Sequence, residues 1–226
     1  MLTYERGLWT SASGIVLAGI DEAGRGCLAG PVVAGAVYMP PELAEQLYAG
    51  SLSGLTDSKQ LTCAQREQFF GQLTQTEGVE WSVGLCTAQE IDDLNILVAT
   101  HTAMRRAVEA LRVKVDHALV DGLAVKGLPC PSTPIVKGDS KSFLIAAASV
   151  IAKVSRDHLM HELHGQYPQY GFDANKGYGV SEHVAALYRH GSCPEHRRTF
   201  RPVQDADQRE LGLGFNRNKD DTHDGL

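Results

Sequence analysis

A short apolar run that ends in two adjacent acids constrains this chain more than any other feature. Ile15-Val16-Leu17-Ala18-Gly19-Ile20 is mostly apolar, is shorter than an ordinary helix, and leads at once into Asp21-Glu22 and the glycine-rich turn Gly24-Arg25-Gly26. Such a run reads as a buried strand that delivers two carboxylates to the end of a sheet. On a regular strand Asp21 and Glu22 point to opposite faces. Use of both in one site therefore asks the chain to leave β geometry here, which Gly24 and Gly26 make easy.

The rest of the pattern predicts an α/β fold. A second strand is expected over 31–39, stopped by Pro40-Pro41, with a short helix over 42–48. Thr62 can cap a helix to about Gln75 whose apolar face is Phe69, Phe70 and Leu73, and residues 79–86 alternate as a third strand. Strands in direct succession suggest antiparallel pairing. Beyond them helix and strand alternate. Ile96, Leu97, Ala103, Met104, Ala107, Val108 and Leu111 recur at helical spacing, Ala118-Leu119-Val120 is a strand ending at Asp121-Gly122, and a strand over 133–136 ends at Lys137-Gly138-Asp139. Phe143, Ala146, Ala147, Val150, Ile151, Val154 and Leu159 then mark a long helix. This connectivity implies parallel strands, so the expectation is a mixed sheet flanked by helices, antiparallel in its first part.

From Tyr167 the composition turns aromatic, glycine-rich and basic, with a helix expected over 181–189 and a basic patch at His196-Arg197-Arg198 and Arg201. The expected division is an N-terminal extension (1–13), a catalytic domain (14–166), a small helical C-terminal subdomain (167–203) and an acidic, disordered tail (204–226).

Composition narrows the function. The formal charge of −6 means the molecule as a whole is no polyanion binder, so a nucleic-acid site must be local. The longest apolar stretches, such as Pro31 to Val37, fall well short of the roughly 20 residues that span a bilayer. Met1 to Ser13 carries Glu5 beside Arg6 and has no secretory pattern, so a cytoplasmic protein is expected. Cysteines at 27, 63, 86, 130 and 193 form no C-x-x-C pair and read as reduced core filler. His158, His161 and His164 share a helical stretch, but H-E-x-H lacks the i, i+4 spacing of a zincin and reads as a solvated face.

Three predicted strands end in acids: Asp21 with Glu22, Asp121, and Asp139. Carboxylates gathered at one sheet end cannot all stay ionised without a cation, and oxygen ligands select Mg²⁺ or Mn²⁺ over zinc. On spacing alone Asp121-Gly122 and Gly138-Asp139 are also ordinary turn sequences. Gly24-Arg25-Gly26 offers backbone N–H groups to a phosphate or a sugar hydroxyl, yet completes neither a P-loop nor G-x-G-x-x-G. Asp57-Ser58-Lys59 can hold a phosphate or simply start a helix.

Taken in order, Gly19-Ile20-Asp21-Glu22-Ala23-Gly24-Arg25-Gly26 with Gly30-Pro31-Val32-Val33, Asp57-Ser58-Lys59-Gln60-Leu61, Val120-Asp121-Gly122, Lys137-Gly138-Asp139-Ser140-Lys141, the stretch from Ala147 to Val154 with Arg156-Asp157, and Asn175-Lys176-Gly177-Tyr178-Gly179 resemble bacterial ribonuclease HII, a type 2 ribonuclease H. The likeness spans about residues 14–203. It implies a ribonuclease H-like fold and metal-dependent hydrolysis of RNA in RNA/DNA hybrids. It also implies cleavage 5′ to a single ribonucleotide in duplex DNA, a role in DNA replication and repair, leaving 5′-phosphate and 3′-OH ends. By resemblance Asp21, Glu22, Asp121 and Asp139 are the catalytic, metal-holding carboxylates. Gly24, Arg25 and Gly26 sense the ribose 2′-OH, Tyr178 stacks at the RNA-to-DNA junction, and Ser58 and Lys59 contact substrate. Asp157 is expected in a supporting role. Lys137, Lys141, Lys153, Arg156, Arg197, Arg198 and Arg201 are candidates for phosphate contacts. The expected partners are hybrid and ribonucleotide-containing duplex, met by a monomer. Gln208, Leu211, Leu213 and Phe215 also resemble a sliding-clamp-binding peptide. A junction resolvase would share the carboxylates without the 2′-OH loop, and a non-catalytic binding module would have no use for them.

Overall fold

The computed structural model describes residues 1–12 and 14–210. In chain order the strands are β1 (Leu17–Ala23), β2 (Val32–Tyr38), β3 (Glu80–Cys86), β4 (His117–Asp121) and β5 (Ser132–Ile135). The helices are α1 (Thr3–Ser11), α2 (Pro41–Ala49), α3 (Cys63–Gln75), α4 (Ala88–Leu94), α5 (Ile96–Ala110), α6 (Phe143–Gln166), α7 (Phe172–Asn175), α8 (Ser181–His190) and α9 (Arg201–Glu210). The strands form one sheet in the order β3-β2-β1-β4-β5, antiparallel across β3-β2-β1 and parallel across β1-β4-β5. This is the mixed α/β arrangement expected.

Local chemistry explains the elements. Thr62 and Gln65 form a reciprocal capping box at the start of α3, and Thr87 with Glu90 does the same for α4, which the pattern of apolar residues had not revealed. One face of the sheet, carrying Leu17, Val37 and Leu119, is covered by Leu144, Ile145 and Ile151 of α6. The other, carrying Ala18, Ile20, Ala36 and Val120, packs on Met104 and Val108 of α5. β1 lies between two strands and under two helices, so its interior is continuously apolar. A third, smaller core joins Tyr170, Phe172, Leu187 and Val203 to Leu28 and to Met160 near the end of α6. No helix among the described residues is long and apolar enough to cross a membrane.

Two boundaries need correction. The N-terminal extension does not hang outside the catalytic unit: α1 docks on the core with Leu2 and Glu5 buried. Glu5 Oε1 accepts hydrogen bonds from Ser142 Oγ (2.6 Å) and the Leu144 N–H (3.1 Å), placing a carboxylate at the N-terminus of the longest helix. That position suits an anion, because the first-turn N–H groups lack intrahelical partners. Residues 204–210 likewise do not belong to a disordered tail, and the rest of the expected tail, 211–226, lies outside the described residues. Residues up to Glu210 continue α9, and Val203 and Ala206 are buried against the third core, so deletion from 204 would expose part of that core. Charge density along 201–210 masked the two apolar residues that anchor the helix.

Candidate active site

The sheet register builds the site. β1 and β4 run parallel with Ile20 opposite Val120, so one residue further on Asp21 and Asp121 stand side by side. Both lie on the face of Leu17 and Leu119, toward α6. Asp139 comes from the 3₁₀ turn Gly138–Ser140 that follows β5. Lys137 enters that turn with φ +56°, a left-handed conformation that costs a non-glycine residue about 1 kcal/mol. The Gly138 N–H donates to Asp121 Oδ1 at 2.6 Å and draws the turn over the end of β4. As a result one carboxylate oxygen each from Asp21, Asp121 and Asp139 lies within 4.8 Å of the others. Among the described residues no other set of three His, Cys, Asp or Glu side chains meets in this way; two of the three histidines of α6 instead pair singly with acids, His158 with Glu67 and His164 with Asp173.

Glu22 departs from expectation. β1 stays regular through Ala23, with Asp21 opposite Gly35 and Glu22 opposite Ala34, so the chain does not leave β geometry at the acid pair. Glu22 therefore stands apart from the trio, at the wall of the same cavity, where its carboxylate accepts a hydrogen bond from Arg25 Nη1 at 3.2 Å. Antiparallel pairing with β2 across these residues holds the strand straight.

Burial sets the electrostatics, and charge repulsion adds to it. Burial, followed by the charges of Glu22 and Asp121, raises Asp21 well above the ordinary carboxylate range. Burial, then Asp121 and Asp57, pushes Asp139 up to about 6. Lys59 reaches toward the same acids. Burial works against its charge, but Asp21, Asp57, Asp139 and Asp121 outweigh it and raise its pKa. An all-oxygen set of crowded carboxylates that resists ionisation fits a hard divalent cation, which would replace the protons.

A stability test follows. Because folding raises these pKa values, the folded chain without metal holds protons that the unfolded chain has released. That contribution is present below the ordinary carboxylate range and is lost as pH rises through about 6. Asp139→Asn in chelator is expected to melt higher than the parent at pH 8, by on the order of 2 kcal/mol or roughly 4–8 °C, and no higher at pH 4. Differential scanning calorimetry at the two pH values checks this; equal melting at pH 8 would contradict it.

The cavity beside the acids is lined by Gly24, Arg25, Gly26, Ser58, Lys59 and Tyr178, so the structure brings together all the sequence-predicted groups on this side. Ser58 is buried, its carbonyl held by Arg66 Nη1 at 2.9 Å. Tyr178 is 41% exposed. Its hydroxyl pKa is raised by burial and then by the neighbouring Cys27 thiol. Lys153 also lines the cavity and is held by Asp157 at 2.6 Å, one helical turn on, which explains Asp157 as the support of a lysine.

Two expected phosphate contacts are something else. Arg156 and Arg197 are fully buried. Arg156 donates to the carbonyls of Pro31 (2.9 Å), Ala29 (3.0 Å) and Lys176 (2.8 Å). Arg197 donates to those of Gly24 (2.7 Å), Arg25 (2.8 Å) and Gly30 (3.0 Å). Each guanidinium spends its donors on main chain, so the Gly24–Pro31 loop is held from behind through its carbonyls, while the N–H groups of Cys27, Leu28, Ala29 and Gly30 bond to main-chain carbonyls of their own. Gly24 has φ +91° and no room for a Cβ because the Arg156 side chain packs against it. His196 is also buried rather than part of a basic patch. Arg198 and Arg201 are exposed; the former's N–H and that of Thr199 donate to Asp92 of α4 at 2.8 and 2.9 Å, tying this segment to the core. Charged residue types gave no sign of which would be buried.

Comparison with known proteins gives a consistent answer. A family model described as Ribonuclease HII matches residues 18–203. A ribonuclease HII of Desulfitobacterium hafniense is 50% identical over 204 residues, covering 90% of this chain and 75% of that protein. The crystal structure of ribonuclease H2 from Pyrococcus horikoshii superposes with a TM-score of 0.71 at 28% identity, covering 86% of this chain and 98% of that one. A ribonuclease HII from Archaeoglobus fulgidus, solved in complex with PCNA, superposes with a TM-score of 0.65 at 25% identity, covering 83% and 96%.

Proposed function

The chain belongs to the ribonuclease HII family, and from that premise we propose how its own residues divide the work. It is a metal-dependent endoribonuclease that acts on RNA/DNA hybrids and on single ribonucleotides in duplex DNA. The observation that carries the reading is the meeting of Asp21, Asp121 and Asp139 in a cavity that also holds the glycine loop and Tyr178.

Asp21, Asp121 and Asp139 hold the divalent ions, Mg²⁺ or Mn²⁺, with Glu22 reaching in from the cavity wall once Arg25 turns to the substrate. When bound, such ions activate the attacking water and stabilise the leaving 3′-oxygen. The backbone N–H groups of Gly24, Arg25 and Gly26 bind the ribose 2′-OH, the one group that separates RNA from DNA at a given nucleotide. Tyr178 stacks on the deoxyribose that follows, which sets the cut 5′ to the ribonucleotide. Lys59, Ser58 and Lys153 face phosphates near the scissile bond, where a fixed positive charge offsets charge gathered in the transition state. Products carry 5′-phosphate and 3′-OH ends.

All four carboxylates come from one chain, which supports action as a monomer, and the five cysteines stand free, which supports a reducing cytoplasmic setting. Attachment to a sliding clamp is a further proposal, supported by the Archaeoglobus complex. Of the residues resembling a clamp-binding peptide, Gln208 lies on α9, and Leu211, Leu213 and Phe215 lie outside the described residues.

A duplex with one embedded ribonucleotide is the test. With Mg²⁺ or Mn²⁺ it is expected to be nicked 5′ to the ribonucleotide, to leave a ligatable 5′-phosphate on the downstream strand, and to stay intact in chelator. Metal-independent cleavage, or cleavage of an all-DNA junction in preference, would overturn the assignment.

A further inference from the structure

Two buried histidines that none of these steps uses stand behind Tyr178. His183 on α8 and His196 in the turn before α9 are 0% and 1% exposed. Their hydrogen bonds admit one arrangement of protons. The Cys193 backbone N–H donates to His196 Nδ1 at 3.0 Å, so that ring carries its hydrogen on Nε2. His196 Nε2–H then donates to His183 Nε2, also at 3.0 Å. His183 is left with its hydrogen on Nδ1 and donates it to the Tyr178 carbonyl at 2.8 Å. Both rings are neutral in this chain, since a second proton on either would set two N–H groups against each other. Tyr170 and Phe172 enclose the pair, with ring centroids 4.6 Å from His196 and 5.4 Å from His183 respectively.

Simple packing does not require this chemistry, because an apolar pair would fill the same space without the cost of burying four ring nitrogens. What the polar pair adds is direction. It ends on the peptide of Tyr178, which lies between Gly177 and Gly179 and so has little intrinsic stiffness. The bonds from Tyr178 N–H to Asn175 O and from Val180 N–H to Tyr178 O stay within the same short segment, whereas Gly177 O ahead of it accepts from the Leu28 N–H at 2.8 Å, so the histidine pair is the long-range bond at the Tyr178 carbonyl. The relay begins in the turn that carries the sensing loop. There the Gly30 N–H donates to Glu195 O, the Arg197 N–H donates to Leu28 O, both at 2.8 Å, and the Arg197 guanidinium holds Gly24 and Arg25.

We propose that His183 and His196 are positioning residues that fix Tyr178 at a set distance from the Gly24–Gly26 loop, so that selectivity for a lone ribonucleotide depends on this neutral imidazole pair. The inference rests on the roles given above to the loop and to Tyr178. The two ends of the recognition unit, one reading the ribose and one reading the nucleotide after it, are separated by most of the chain; Arg156 and the Leu28 N–H to Gly177 O bond join them ahead of Tyr178, and the relay joins them at the Tyr178 carbonyl itself.

The test compares turnover of a lone-ribonucleotide duplex with that of a long RNA/DNA hybrid, which offers no adjacent deoxyribose at most cut sites. His183→Phe keeps a ring but loses the donor. It is expected to lower the ratio of the two rates roughly tenfold, the worth of about one hydrogen bond, in kcat rather than KM. His183→Asn keeps an N–H near the Nδ1 position and is expected to recover most of the ratio. The double variant with Tyr178→Ala should be no worse than Tyr178→Ala alone, and ¹⁵N spectra should show both rings neutral with opposite tautomers. If Tyr178→Ala lowers the ratio and His183→Phe does not, the relay fails alone; if Tyr178→Ala leaves the ratio unchanged, the reading of Tyr178 fails first. Equal losses in the Phe and Asn variants, or additive losses with Tyr178→Ala, would reduce the pair to a structural role.

Discussion

Asn in place of Asp21 is expected to lower cleavage by on the order of 10³-fold or more, with folding and hybrid binding intact. Asp21 is 5% exposed, and its carboxylate is crowded by Glu22, Asp121 and Asp139. Removal of one charge relieves repulsion in the metal-free protein, so its melting temperature should hold or rise while its ability to keep a divalent ion falls. Asp121→Asn should behave alike, because an amide oxygen still accepts the Gly138 N–H that positions the Asp139 turn. Asp121→Ala should in addition lose stability, since that N–H is then left without its partner. Steady-state cleavage beside calorimetric metal titration separates these effects. Near-parental turnover by either Asn variant would remove the carboxylate cluster from the reaction.

The second large effect concerns one hydroxyl. A duplex with deoxyribose at the target position should be cut about 10⁴-fold more slowly than the same duplex with ribose, because a site built to hydrogen-bond a hydroxyl is left with unpaired polar groups when the hydroxyl is absent. The Gly24–Gly26 loop meets the structural requirement: its carbonyls are held by Arg197 and the Arg156 side chain packs behind it, so it is rigid before substrate arrives. Tyr178→Ala should then cost roughly 10- to 100-fold on the lone-ribonucleotide duplex, comparable to the loss of one aromatic stacking contact with a nucleotide, with a smaller change in bulk affinity. At 41% exposure Tyr178 is not a core aromatic, so this variant should melt within a few degrees of the parent. A folded Tyr178→Ala protein that cuts the lone ribonucleotide at the parental rate would exclude the stacking role.

Local signals in the sequence were sufficient for the frame of the molecule. Thr62 announces the start of α3 because a helix cap is made by near neighbours, and the structure adds Gln65 as its partner. The apolar run before Asp21 reads as a buried strand because a strand covered on both faces has no polar positions. Acids at three strand ends pointed to one site because parallel neighbours bring their ends together, and the resemblance supplied the loop and Tyr178, which the structure places at the same cavity. What sequence could not show depends on partners far along the chain. Glu5 belongs to the core only because Ser142 and the Leu144 N–H satisfy its buried carboxylate. Arg156 and Arg197 have the charge of a phosphate-binding surface, yet main-chain carbonyls of the Gly24–Pro31 loop, with Lys176 for Arg156, draw them inside. The direction of Glu22 was decided by pairing with β2, and the neutrality of His183 and His196 by each other. The physical reason is the same in each case. Periodicity and capping act between residues a turn or a strand apart, whereas the cost of burying a polar group is offset only by the particular partner that the tertiary fold brings to it.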